Sequence, residues 1–359
     1  MKAAVLRQVN EPLTIEEVDI DQPMPEEVLI RTGAAGVCRS DLHFIEGSTG
    51  HPLPVVLGHE SAGTVEAVGD AVTYVKPGDR VITCLSVFCG RCEMCLSGRP
   101  VLCTREGLTR AEGESPKLSQ SGERVHQFLR LSSFAEQMLV HQNAVVRVDD
   151  DTPFELLALI GCGVTTGLGA VLNTAQVRPG STVAVIGCGG VGLSAVQGAR
   201  IAGALRIIAI DTVETKLATA MEFGATDVVD ASSSDPVEKV KAITGGGVDY
   251  SFEALGAKRT AEQAFEMLRP GGTATVVGVI PEGTKIELEG SAFLDEKRIQ
   301  GSNMGSNRFR TDMPRYIELY RQGRLRLDEM VTQTMGIEEI NRAFTKMKSG
   351  SVNRSVIVF

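Results

Sequence analysis

Residues 182–202 constrain the fold most. Thr182-Val183-Ala184-Val185-Ile186 is a short β-branched run, Gly187-Cys188-Gly189-Gly190-Val191-Gly192 follows at once, and residues 191–202 carry apolar positions three and four apart. Strand, glycine-rich turn and helix in direct succession open a βαβ unit, because parallel strands need a crossover helix. The alternation continues downstream, with residues 206–210, 227–229, 248–252 and 273–279 reading as strands and 213–223 and 259–268 as helices. The pattern predicts an α/β fold with a doubly wound parallel sheet over about 180–300.

The glycines have separate uses. Gly187 permits the tight turn, Gly189 lets the backbone approach a pyrophosphate and Gly192 lets helix and strand pack closely. The helix opening at Gly190 and Val191 offers N–H groups and a positive dipole end to phosphate. Asp211 ends the next strand, where its carboxylate would accept hydrogen bonds from the adenosine ribose and repel a 2′-phosphate. NAD is the expected cofactor. A flavin, S-adenosylmethionine or a glycine turn without ligand are the alternatives.

Four of the eight cysteines, Cys89, Cys92, Cys95 and Cys103, form C-x2-C-x2-C-x7-C. Disulfides at that spacing would close very short, strained loops, whereas four thiolates fit around one tetrahedral zinc ion. Gly90 and Gly98 supply the turns. With every position filled, such a site is structural; an iron–sulfur centre is the alternative.

The first 150 residues read differently, with β-branched stretches at 63–68 and 80–83 and Pro77-Gly78 between them. A twisted, mostly antiparallel domain is expected there. Residues 309–359 carry one or two amphipathic helices and an apolar strand at 355–359, which needs a sheet to join. The expected division is 1–163 with 304–359 in a discontinuous domain, and 164–303 in the doubly wound one. A length of 359 residues suits two domains. The net charge of −9 opposes binding to nucleic acid or anionic membrane surfaces. No apolar run approaches the roughly 18 residues of a membrane span, since glycines interrupt residues 156–164 and 183–193, and no secretory address is visible. A soluble, cytoplasmic protein is expected.

The remaining chemistry centres on Cys38 in Gly36-Val37-Cys38-Arg39-Ser40-Asp41, His59 in Gly58-His59-Glu60 and Cys162 in Gly161-Cys162-Gly163. With G-H-E-x2-G-x5-G from Gly58 to Gly69, the four-cysteine loop, the glycine fingerprint and Val352-Asn353-Arg354-Ser355, the chain resembles the zinc-dependent medium-chain alcohol dehydrogenase family over essentially its whole length. Its long segment between Cys103 and Cys162 resembles the dimeric, class III-like branch. The resemblance implies a Rossmann domain for NAD and a mostly β, GroES-like catalytic domain. It also implies two zinc ions per chain, and it alone brings Cys38, His59 and Cys162 together as ligands of the catalytic one. Two thiolates and one imidazole then leave a fourth position open, the pattern of a catalytic site.

The resemblance further implies roles. Asp41 would hold the other ring nitrogen of His59. Ser40 would take the alcohol proton and His43 would pass it to solvent. Glu60 would stand behind the ligands or enter the metal's shell. Arg39 and Arg354 would contact the pyrophosphate, Thr166 and Val191 would lie behind the nicotinamide, Lys216 near the adenosine ribose, and Val279 would also belong to the cofactor-binding set. Thr49, Leu85, Phe128 and Leu129 would line the substrate channel; His51, His126 and His141 receive no role. The expected reaction is reversible oxidation of primary aliphatic or aromatic alcohols to aldehydes. The basic cluster Arg105, Arg110, Lys117 and Arg124 leaves an S-(hydroxymethyl)thiol, the formaldehyde adduct, as an alternative substrate. A catalytically silent member that keeps the fold is the contrasting reading. A homodimer, with a homotetramer as alternative, is expected through the nucleotide domain, where a strand near 273–279 would form the sheet edge.

Overall fold

The computed structural model describes residues 1–104, 107–349 and 353–359, so Arg105 and Val352 lie outside the described residues. The chain divides into two compact units: Met1–Cys162, Arg308–Tyr320 and Leu327–Phe359 in the first, Gly163–Asn307 and Arg321–Arg326 in the second. The boundaries differ from expectation for local reasons. Residues 304–307 go with the second unit, where Gly305 packs so closely on Thr165 and Gly169 that a Cβ would overlap them. Residues 321–326 join it because Gln197 and Arg326 exchange hydrogen bonds of 3.1 and 2.7 Å.

The second unit is a doubly wound α/β sandwich. Its chain order is β1 (Thr182–Ile186), α1 (Gly190–Ile201), β2 (Arg206–Asp211), α2 (Glu214–Glu222), β3 (Asp227–Asp230), α3 (Pro236–Thr244), β4 (Val248–Glu253), α4 (Lys258–Glu266), β5 (Leu268–Val276) and β6 (Arg298–Gly301). The six strands pair in the order β3-β2-β1-β4-β5-β6, all parallel. The central strands are apolar along their length because helices cover both faces. Ala184, Ile186, Ile208, Ile210, Phe265 and Leu268 share one core. Asp235 caps α3 by accepting from Val237 N and Glu238 N, and left-handed Gly245 ends it.

Two expectations are corrected here. β5 runs over Leu268–Val276, not 273–279, since Pro270-Gly271-Gly272 is absorbed at a register shift against β4. The sheet edge is therefore β6, not the strand near 273–279.

The first unit is mostly antiparallel. Its central strand, Glu27–Gly36, pairs antiparallel with Ser61–Val68, Gln137–His141 and Arg354–Val358. Arg354–Val358 also pairs in parallel with Val331–Met335. The chain's last strand thus returns to the N-terminal sheet. One core joins Leu6, Val37, Phe128 and Phe134 with Ile340, Phe344 and Ile357 from the tail.

The glycines in residues 156–164 do not interrupt structure as expected. Phe154–Thr174 is one helical run, long and apolar enough by composition to cross a membrane, but 89% of its apolar window is buried, as in a core helix. A π turn, Ile160–Val164, lies within it and holds Cys162. Gly161 lets this turn approach the sheet: a Cβ there would lie 2.8 Å from Thr83 O.

Candidate active site

Cys38, His59 and Cys162 converge inside the first unit, all buried, with one ligand atom from each within 4.8 Å of the others. His59 Nε2 lies 3.4 Å from Cys162 Sγ. Local structure places the other two. Cys38 is the N-cap of the helix Arg39–Ile45, and Asp41 at its third position reaches back to accept from Cys38 N at 3.2 Å. The second oxygen of Asp41 accepts from Gly58 N at 3.2 Å and from His59 Nδ1 at 3.0 Å. One fully buried carboxylate therefore fixes both segments and leaves His59 Nε2 facing the two thiols.

The protonation of the cluster follows its crowding. The hydrogen bond with Cys162 holds the Cys38 thiol well below its ordinary value, and the same contact pushes Cys162 well above it. Burial would lower His59, but the charges of Asp41 and Cys38 outweigh it and raise the ring well above the usual histidine value. Burial pushes Glu60 up to about 7 even though Arg354 opposes it. Glu60 is fully buried; its Oε1 accepts from Arg354, and its Oε2 has no hydrogen-bond partner among the described residues. Two thiols and an imidazole form a donor set that fits zinc and leaves a tetrahedral ion one further position.

The second cysteine cluster is built locally. Left-handed Gly90 and Gly98 turn the chain on either side of the short helix Glu93–Leu96. Sulfur separations are 3.5 Å for Cys92–Cys95, 3.8 Å for Cys92–Cys103 and 4.0 Å for Cys89–Cys95. A tetrahedron with metal–sulfur bonds of about 2.3 Å has edges of about 3.8 Å, so these thiols fit one ion. Cys89 Sγ accepts from Cys92 N at 3.3 Å and Cys103 Sγ from Cys89 N at 3.2 Å. Hydrogen bonds from the Cys95 and Thr104 amides hold Cys92 down to about 6, whereas burial pushes Cys95 up to about 12. None of the eight cysteines is in a disulfide.

In the second unit the glycine fingerprint spans β1 and α1. Gly187 is left-handed (φ 93°), nothing lies within 4 Å of a Cβ on Gly189, and a Cβ on Gly192 would overlap Gly187 O. The turn thus leaves open space beside the start of α1, which suits a pyrophosphate. Asp211 ends β2, where its carboxylate accepts from Cys188 N at 2.8 Å, Thr212 N at 2.8 Å and Val213 N at 3.1 Å. Thr166 is buried with its hydroxyl 3.3 Å from Met304 Sδ, Val191 and Lys216 are half-buried, and Val279 is exposed.

The other expected residues are placed as follows. Ser40 Oγ lies 3.8 Å from Cys38 Sγ, and His43 is half-buried on the same helix. Arg39 and Thr49 are exposed, and Leu85 and Leu129 are half-buried. Arg354 is buried against Glu60.

Phe128 has no accessible surface; its ring packs edge-on against His59 at 5.8 Å and Phe44 at 4.5 Å. A turn with left-handed Leu129, Arg130 and Ser132 holds it there, with Ser132 Oγ accepting from Phe128 N at 2.8 Å and donating to Val56 O at 2.7 Å. His51, given no role, also packs on Phe128 at 5.7 Å. No sequence signal announces that contact, because it joins loops distant in the chain.

Residues 24–150 match the family model described as an alcohol dehydrogenase GroES-like domain, and residues 190–321 match a zinc-binding dehydrogenase model. An alcohol dehydrogenase zinc-binding domain protein from Burkholderia ambifaria is 39% identical, with 100% of this chain and 98% of that one covered and a TM-score of 0.95. Benzyl alcohol dehydrogenase from Acinetobacter calcoaceticus is 35% identical, with coverage of 100% and 99% and a TM-score of 0.93. An NADP-bound structure from Sinorhizobium meliloti 1021 is 30% identical, with coverage of 100% and 99% and a TM-score of 0.84.

Proposed function

The chain belongs to the zinc-binding medium-chain alcohol dehydrogenase family, and from that premise we propose that it oxidises primary alcohols bearing aliphatic or aromatic groups to aldehydes, reversibly, with hydride passing to NAD. The observation that carries this reading is the convergence of Cys38, His59 and Cys162, whose three ligand atoms leave a tetrahedral ion one open position. Zinc held by these three residues would supply Lewis acidity toward an alcohol oxygen, making its proton easier to lose.

The chain's own residues do the rest. Asp41 accepts from His59 Nδ1 and so keeps Nε2 aimed at the ion. Arg354 balances the charge of Glu60 behind the ligands. Ser40 Oγ accepts the alcohol proton and His43 returns it to solvent, the roles the family resemblance gives them. In the second unit, the α1 N-terminus holds the pyrophosphate and Asp211 the adenosine ribose. The four-cysteine loop carries a second, structural zinc.

Likeness to benzyl alcohol dehydrogenase supports an aromatic substrate, and Leu85, where an aromatic residue is common in the family, leaves a less bulky wall. The formaldehyde-adduct alternative has less support, because Arg110 is bound by Glu27 and Asp21, and Lys117 by Glu27. We take the molecule to be a cytoplasmic homodimer, which suits its reduced thiols and the unpaired edge of β6. Steady-state kinetics with benzyl alcohol, hexanol, ethanol and S-(hydroxymethyl)glutathione, each with NAD and NADP, tests the reading. Benzyl alcohol with NAD should give the highest kcat/KM; preference for the thiol adduct, or no turnover by zinc-loaded protein, overturns it.

A further inference from the structure

We propose that Glu253 is a positioning residue for the nicotinamide half of the dinucleotide crevice, its buried carboxylate and carbonyl tying the turn after β4 to the turn after β5. The inference rests on the dinucleotide reading of the second unit. Glu253 is the last residue of β4 and pairs in register with Ile186, which ends β1, and Val276, which ends β5. It stands where the strand order reverses, beside the glycine fingerprint, at the carboxyl ends of the strands where doubly wound folds bind ligands.

A fully buried carboxylate needs partners. Oε1 has three: it accepts from Leu255 N at 2.9 Å, Gly256 N at 2.8 Å and Thr260 Oγ1 at 2.7 Å. Oε2 has no hydrogen-bond partner among the described residues and faces Gly278, where a Cβ would stand 2.7 Å away. The main chain makes the second link, for Glu253 O accepts from Val277 N at 2.8 Å and Gly278 N at 3.0 Å. The two turns meet backbone to backbone: a Cβ on Gly278 would overlap Gly256 N, and one on left-handed Gly256 would overlap Val279 O. Leu255, in the same turn, covers Gly187, whose Cβ would lie 2.7 Å from Leu255 Cγ.

The doubly wound fold is two mononucleotide-binding halves. In the first, the turn after β1 leaves room at the start of α1 for a phosphate. In the second, the Leu255 and Gly256 amides are taken by the Glu253 side chain, as the Cys188 amide of the first turn is taken by Asp211, and the backbone contact with the turn after β5 makes this turn a closed wall. Adenosine and pyrophosphate belong to the β1–β3 half, so loosening this wall acts mainly on the nicotinamide end.

Calorimetric titration of zinc-loaded protein with NAD and with ADP-ribose, which lacks nicotinamide, tests this. Glu253→Ala should weaken NAD binding about tenfold and leave ADP-ribose within about twofold. Glu253→Gln keeps an acceptor oxygen for the three donors and should restore NAD affinity to within about threefold of wild type. Gly278→Ala should reproduce the selective loss with the carboxylate intact, and it decides the matter alone if Glu253→Ala does not fold. Equal losses for both ligands, or no loss for either, overturn the inference while the dinucleotide reading stands. Wild-type protein that binds neither NAD, NADP nor ADP-ribose overturns both.

Discussion

Asp41 shows how much one side chain settles. It closes the helix turn at Cys38, anchors Gly58 and orients His59. Asp41→Asn should therefore lower zinc affinity at the three-residue site about 10–100-fold, with the four-cysteine zinc retained; metal analysis after graded chelation checks both. For cofactor choice the proposed residue is Asp211, and Asp211→Ser should raise kcat/KM for NADP relative to NAD; an unchanged ratio would remove its assigned role. What could be read in advance differed among residues. The fingerprint and the four cysteines are close in sequence, so their use follows from spacing. Cys38, His59 and Cys162 are joined only by folding, and family resemblance was needed to group them. The contact of Phe128 with His59 and the links made by Glu253 were beyond reach, since one joins loops distant in the chain and the other joins two turns that meet only in space.

Among elements, the four-cysteine loop makes the sharpest forecast. Its geometry is local, so Cys92→Ser should cost one zinc per chain and lower the melting temperature while the zinc at Cys38, His59 and Cys162 stays bound; metal content and calorimetry read the two effects separately. The central strand Glu27–Gly36 gives a pH forecast. Burial alone would raise Glu27, but the hydrogen bonds of Arg110 and the charge of Lys117 outweigh it and hold the carboxylate below its usual range. A depressed folded value means the stabilisation is complete above the unfolded value of about 4.3 and fades as pH falls through the folded one. Glu27→Gln should thus cost about 1–3 kcal/mol in urea unfolding at pH 7, with the gap to wild type closing below about pH 4. Strands and helices of the second unit were legible because apolar runs alternate with helical periodicity. The start of β5 was not, because Pro270-Gly271-Gly272 carries a turn signature that the neighbouring strand overrides through a bulge. The helical run Phe154–Thr174 was obscured in the same way: its glycines serve close packing instead of breaking the backbone.

For the molecule as a whole, β6 leaves a sheet edge unpaired among the described residues, and exposed Phe293 and Leu294 lie just before it in the chain. Sedimentation equilibrium should give twice the chain mass, and Leu294→Glu should shift the protein toward the single-chain mass; a wild-type monomer at micromolar concentration would remove the dimer. The tail carries a different consequence. Arg354, Phe344 and Ile357 complete the core and the charge balance of a unit that begins at Met1. During synthesis on the ribosome, the segment from Gly163 to Asn307 has emerged in full while Glu60 still waits for its cationic partner. Translation order therefore makes Gly163–Asn307 available first, with Arg321–Arg326 following to complete the second unit, whereas the first unit can mature only after Arg354–Val358 has left the ribosome.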